Sequence, residues 1–182
     1  GIVGTAVAEI SVGVSLACVG AGIAVGFAGL SAIGQGIAAG AAIGAVTEND
    51  KMMGKGMVFS VLPETQAIYG MLIAILILLG AGILGAKGGI GISETVGLAG
   101  VGAGIAVGVA GLSAIGQGIA AGAGIGAVSE KSELFGKSMV FSVLPETQAL
   151  YGFIIGILIL ASVGLVGAAK TGAISSVAGM AS

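Results

Sequence analysis

The 182 residues contain no histidine and a single cysteine. Those absences exclude imidazole-based catalysis, zinc sites of the usual His/Cys kind and a disulfide framework. Cys18, set among Leu16, Ala17 and Val19, reads as packing. Charge is scarce as well. Only 8% of residues are charged, against about 25% in a soluble domain, so the chain could not clothe a globular surface in polar groups. The net charge of −2 comes with no basic cluster, which argues against nucleic acid as a partner. The first residues, GIVGTAVAE, have no basic stretch ahead of the apolar run, so no signal peptide of the usual form is expected. There are just two prolines, and both sit beside a glutamate.

What is present is apolar and glycine-rich. Hydrophobic residues make up 57% of the chain and glycines number 38, with a mean hydropathy of +1.21. The glycines have no collagen-like period, so they call for a helix-packing explanation. Residues 19–46 and 101–128 match at 26 of 28 positions, and 57–70 and 139–152 at 13 of 14, all at an offset of 82. The chain is a tandem duplication, with halves 1–88 and 89–182. Charges divide each half into two apolar segments, 10–46 and 56–86, then 92–128 and 138–169. Segments of about 30 residues reach about 45 Å as helix, enough to cross a bilayer.

The expected fold is therefore an all-α membrane protein, with four transmembrane helices in two tandem hairpins. Two crossings per repeat is an even number, so the repeats enter from the same side and are parallel, not inverted. The segments 47–56 (TENDKMMGKG) and 129–138 (SEKSELFGKS) fall on one side, with the termini and the 87–94 turn on the other. Four of the six lysines lie in those two loops, which the positive-inside bias assigns to the cytoplasm. Small residues recur at helical spacing: Gly36, Gly40 and Gly44, with Gly118, Gly122 and Gly126, and higher up Gly22 with Gly26 and Gly104 with Gly108. Such stripes let helix backbones approach in lipid. Glycines on several faces predict that the first and third helices are crowded on more than one side, as in an inner ring.

The polar residues are few and repeated. SVLPETQAIYG at 60–70 returns as SVLPETQALYG at 142–152. A charge at membrane depth costs several kcal/mol, so Glu64 and Glu146 are functional candidates. At about 100° per residue, Leu62, Thr65, Gln66 and Tyr69 cluster on a face almost opposite Glu64. Leu144, Thr147, Gln148 and Tyr151 stand in the same relation to Glu146. One helix cannot bring its glutamate onto its own Thr-Gln face, but a row of such helices can. Gln35 and Gln117 each precede their glutamate by 29 residues across a turn near 49–50 or 131–132, which predicts similar depth. Pro63 and Pro145 disturb the preceding turn and free carbonyls there. Together these are hard oxygen ligands of the kind that alkali cations favour. No catalytic residue and no cofactor is assigned.

With LPETQ-x-x-YG, the upstream GLSAIGQGIAAG and the duplicated Gly-rich hairpin on the page, the chain resembles the rotor-ring proteolipid of rotary ATPases, and most nearly the c/K subunit of V/A-type enzymes. The resemblance implies a homo-oligomeric ring in the cell membrane, surrounded by lipid and turning against a stator subunit with an essential arginine. A central stalk would dock on loops 47–56 and 129–138, and ATP chemistry would reside on other subunits. It implies ion carriage at Glu64 and Glu146. Gln35, Thr65, Gln66, Gln117, Thr147 and Gln148 would be helpers, Leu62 and Leu144 would give carbonyls, and Tyr69 and Tyr151 would fix the carboxylates. Sodium-type members keep these oxygens and proton-type members largely dispense with them, so Na⁺ is expected before H⁺. Many duplicated members have lost one glutamate; both are kept here, which favours ATP synthesis at modest driving force. The rival reading is a passive pore or structural oligomer, which accounts for the glycines but not for the two-sided Glu and Thr-Gln arrangement. A secondary transporter is weakened by parallel, near-identical repeats. For the site between hairpins, the preferred pairing joins Glu146 and Gln117 with Thr65 and Gln66; the sequence leaves the opposite pairing open.

Overall fold

Serine opens each repeat. Ser11 and Ser93 are helix N-caps whose hydroxyls accept the Val14 and Val96 amides at 3.3 and 3.4 Å, satisfying donors that the first turn leaves unpaired. In the computed structural model, which describes residues 10–85 and 91–167, eight α-helices follow in two equivalent sets of four. The first set is α1 (Val12–Ala28), α2 (Ser31–Glu48), α3 (Met53–Val61) and α4 (Thr65–Gly80). The second is α5 (Glu94–Ala110), α6 (Ser113–Glu130), α7 (Phe135–Val143) and α8 (Glu146–Ser162). They join end to end into four rods long and apolar enough to cross a membrane: Val12–Glu48, Asp50–Gly80, Glu94–Glu130 and Ser132–Ser162. The expected four-helix, two-hairpin fold is what the chain adopts, with no strand among the described residues.

The boundaries differ from those expected. Segments 47–56 and 129–138 are not open loops. The helix runs on to Glu48 or Glu130, one extended residue (Asn49 or Lys131) turns the chain, and a 3₁₀ turn starts the return. Asn49 supports its own turn by accepting the Lys51 amide at 3.1 Å. At the far end the rods stop at Gly80 and Ser162 rather than near 86 and 169. Gly82 and Gly164 take φ of 72° and 74°, and the next residues donate back to Leu78 and Leu160 at 2.9 Å. That left-handed cap ends a helix even where the apolar run continues. The 88/89 division and the first half of the 87–94 turn lie outside the described residues.

The first and third rods form an inner layer in backbone contact. A Cβ on Gly20, Gly34, Gly104 or Gly118 would collide with the facing backbone, and Gly13 and Gly97 are as tightly placed. Partners run in the same order along both rods, so the rods are parallel. The expectation for the small-residue stripes holds on one side only. Gly104, Gly108, Gly118 and Gly122 pack against the first rod, while Gly22, Gly26, Gly36, Gly40, Gly44 and also Gly126 meet nothing within 4 Å among the described residues. Both inner rods tighten at one point, where Leu30 and Leu112 donate to Phe27 and Val109 at 3.1 Å, an i→i−3 turn. Because the bend recurs at the same register, the rods stay in contact through it.

The second and fourth rods form the outer layer, each on its own hairpin partner. Two apolar cores result. Ala17, Ala21, Ala24, Ile73, Ile77 and Val107 belong to one, and Ala38, Ala45, Phe59, Ala121 and Ile125 to the other. The polar residues lie between them. Substituting Gly118 by Val should cost upward of about 3 kcal/mol, since the clash is with backbone of Gly34 and no rotamer relieves it. Gly54→Ala, in open space, should stabilise by about 0.4–1 kcal/mol. Thermal unfolding in detergent separates the two outcomes.

Candidate ion-binding site

Between the two cores, the outer rods carry LPETQ. Pro63 leaves the regular helix a residue early, and Leu62–Glu64 is a 3₁₀ turn; Leu144–Pro145 is the matching break before α8. The carbonyls of the residues just before the prolines, Leu62 and Leu144, are engaged within their own turns. Thr65 Oγ1 donates to Leu62 O at 3.0 Å, and Thr147 Oγ1 to Leu144 O at 2.9 Å. The Thr65 hydroxyl is also 3.0 Å from Gln66 Oε1. Having one proton, it donates to one of these two acceptors at a time.

The break turns the glutamate and the Thr-Gln face in opposite directions. Glu64 is exposed and bonds to its own hairpin, accepting from Gln35 Nε2 at 3.4 Å. Gln66, two residues on, is fully buried against the other hairpin and donates to Gln117 Oε1 at 2.5 Å. Gln117 is fully buried too, and its Nε2 donates to Glu146 Oε2 at 3.4 Å. The second carboxylate oxygen of Glu146 accepts from the Tyr69 hydroxyl at 2.8 Å. Thr65, Gln66, Gln117, Glu146 and Tyr69 thus form one continuous hydrogen-bonded row across the two hairpins.

Tyr69 is fixed from two sides. Gly70 seats α4 on α1 so closely that a Cβ there would collide with Ala28 Cβ. The tyrosine ring is stacked on Phe153 of α8, with centroids 5.2 Å apart and an interplanar angle of 30°. Motif reasoning passed over Phe153, because it lies beyond the repeated LPETQ-x-x-YG stretch. The signal was a departure from the repeat: Met71 stands where the second half has Phe153.

The remaining site residues form no second row among the described residues. Thr147, Gln148 and Tyr151 are exposed at the far edge of α8, and Leu144 with them, while Glu64 and Gln35 are at the opposite edge. Thr147 reaches only Leu144 O and, at 3.2 Å, Gln148 Oε1. Of the two pairings left open by the residues, the chain brings Glu146 and Gln117 together with Thr65, Gln66 and Tyr69.

A model of the ATP synthase C-subunit family matches twice, over residues 19–77 and 101–159. The chain belongs to that family. It is the duplicated form, one match per hairpin. An A-type ATP synthase subunit K of Methanocaldococcus jannaschii is 59% identical over 140 residues, spanning 77% of this chain and 60% of its own length. The match therefore takes in less than two thirds of that protein. A V-type sodium ATPase subunit K of Enterococcus hirae is 35% identical over 135 residues, spanning 73% of this chain and 82% of its own.

The buried row and the exposed edge should differ in stability. Gln66→Leu leaves the buried Gln117 amide oxygen without its donor and should cost about 1–3 kcal/mol. Gln148→Leu, at an exposed edge, should stay within about 0.5 kcal/mol for the single chain. Unfolding of the two variants as monomers in detergent measures the difference.

Proposed function

We propose that the chain is the ion-carrying rotor subunit of an A/V-type rotary ATP synthase or ATPase, and that Glu64 and Glu146 carry Na⁺ in preference to H⁺. The observation that carries this reading is the division of one ligand set between two edges. The chain holds one assembled row, and holds the parts of a second with Glu64 and Gln35 at one edge and Leu144, Thr147, Gln148 and Tyr151 at the other. A second copy laid head to tail would complete the row, and repetition closes a ring in the manner of heterologous interfaces.

Other features of the two edges support the same docking. The stripe Gly22, Gly26, Gly36 and Gly40 is open, while its equivalents 82 residues on are packed on the first rod. A groove of about 450 Å³ lies between α2 and α3, lined by Ala39, Ala42, Ile43, Val46, Met53 and Met57. Its counterpart on the second hairpin is filled by Phe59, which is fully buried, sits edge-on to Phe135 at 5.5 Å, and packs with Ala121, Ile125 and Val128. The residue equivalent to Phe59 is Phe141, 68% exposed at the other edge. Phe141 of a neighbouring copy is the natural occupant of the open groove.

In such a ring each carboxylate would be neutralised by its ion while it faces lipid, where a bare charge costs several kcal/mol. A stator arginine would replace the ion at the point of exchange. ATP chemistry would lie on other subunits, coupled through a stalk against the turns at Asn49 and Lys131, on the cytoplasmic face of the cell membrane. The lean to Na⁺ rests on the oxygens of Gln, Thr and Glu gathered in the row, and on the sodium ATPase named among the relatives.

Sodium should protect both glutamates from dicyclohexylcarbodiimide near neutral pH, and Thr65→Val combined with Thr147→Val should remove that protection at low sodium. Glu64→Gln or Glu146→Gln alone should abolish coupled transport in the assembled complex. A wild-type protein that sodium never protects is a proton carrier. Separately, Phe141→Ala should lower the dissociation temperature of the detergent-purified oligomer, by several degrees, without altering the fold of the single chain.

A further inference from the structure

The two carboxylates have the same ligand types, yet their tyrosines are not held alike. Over 57–70 and 139–152 the repeats differ only at Ile68/Leu150, so every polar group of one site is matched in the other. The first departure beyond the tyrosine is Met71/Phe153. Phe153 follows Glu146 by seven residues, two helical turns on nearly the same face. Helix α8 therefore presents a carboxylate and an aromatic ring in one line to Tyr69, which bonds to the first at 2.8 Å and stacks on the second at 5.2 Å. At the other edge the same positions read Glu64, the N-cap of α4, and then Met71, 48% exposed. Under the head-to-tail docking proposed above, the tyrosine brought to them is Tyr151 of the neighbouring copy, 63% exposed in the single chain.

A phenylalanine brace and a methionine brace act differently. A stacked aromatic pair fixes a ring by its flat face and adds attraction beyond the area buried. Methionine has three rotatable bonds and adapts to whatever lies on it, so a tyrosine resting on it keeps more freedom to swing off its carboxylate. We propose that Phe153 is a positioning residue that makes Glu146 the tighter and more slowly exchanging of the chain's two ion sites, with Glu64, braced by Met71, the looser. Tight and loose sites then alternate around the assembly, one within each chain and one at each junction. The proposal rests on the ring reading for the second site, and Phe153 acts through Tyr69 with no contact of its own to the ion.

The test is site-resolved carbodiimide labelling of the intact oligomer, with each glutamate read from its own peptide by mass spectrometry. In sodium-free buffer Glu146 should label about two- to tenfold more slowly than Glu64, the span that one aromatic pair is worth. Half-protection should need correspondingly less sodium at Glu146. Phe153→Met should bring Glu146 to the rate of Glu64 and leave Glu64 where it was, Phe153→Trp should keep the difference, and Met71→Phe should slow Glu64. A loss of packing alone would move both sites and the dissociation temperature of the oligomer, so Glu64 is the internal control. Equal rates in the wild type, or no change at Glu146 in Phe153→Met, overturn the proposal. The sodium-free ratio decides it whichever ion is carried, whereas failure of sodium protection with the ratio intact counts against Na⁺ carriage alone.

Discussion

A carboxylate at membrane depth must have partners, and most of this structure follows from supplying them. Glu146 has both oxygens engaged, by Gln117 from its own hairpin and Tyr69 from the other. Neither donor comes from its own helix, because the Thr-Gln face of an LPETQ turn points away from its own glutamate. The partners must come from a second hairpin, in register to within one side chain. Parallel hairpins at the same depth satisfy that condition, and a tandem duplication produces them. Inner rods in backbone contact through Gly20, Gly34, Gly104 and Gly118 then hold the register, since a glycine seated on a facing carbonyl cannot slide without collision.

The architecture was largely legible because it is written twice. The offset of 82 gave the hairpins, and the spacing of 29 placed Gln and Glu on facing arms of one hairpin, where they meet. The helical angles around each glutamate required a site that spans two hairpins. They could not choose which edge of a hairpin faces which, because near-identical repeats carry the same residues on both edges; only the sense in which the chain winds decides. The rod ends were hidden for a different reason. Gly82 and Gly164 look like any of the other glycines, and a left-handed φ leaves no mark in a run of aliphatic residues. The packed seam was obscured in the same way. Glycines at several helical spacings make several stripes equally plausible, and the stripe at Gly36, Gly40 and Gly44 proved to be open in the single chain.

The duplicated sequence also shows where the two halves have been free to diverge. The polar residues of the row are the same in both halves, and several of the differences fall on side chains packed around it. Ala42 and Gly124 illustrate it. A Cβ at Gly124 would come within 3.0 Å of the Phe59 ring and 3.2 Å of Ser138 Cβ, so a glycine there admits both the phenylalanine and the serine. In the first hairpin the bulk is exchanged, with Ala42 on the inner rod and Gly56 opposite it, where a Cβ would meet Ala42 at 2.9 Å. Volume is conserved across the pair, and each hairpin closes.

That compensation works within a hairpin, but the outward consequence does not cancel. The groove that Phe59 fills is floored by a glycine and walled by Phe135, whereas the groove left open has Ala42 and Met53 in those places. Under the docking proposed above, contacts inside a chain and contacts between chains would therefore be built from different side chains around the same set of polar groups. A single-hairpin subunit repeated around a ring would have one kind of boundary, and any substitution there would fall on every boundary at once. Fusing two hairpins creates two kinds, each with its own packing residues. Met71 and Phe153 belong to this outer layer, so in the proposed assembly the support behind each carboxylate would be adjustable by packing substitutions while the polar groups stay the same.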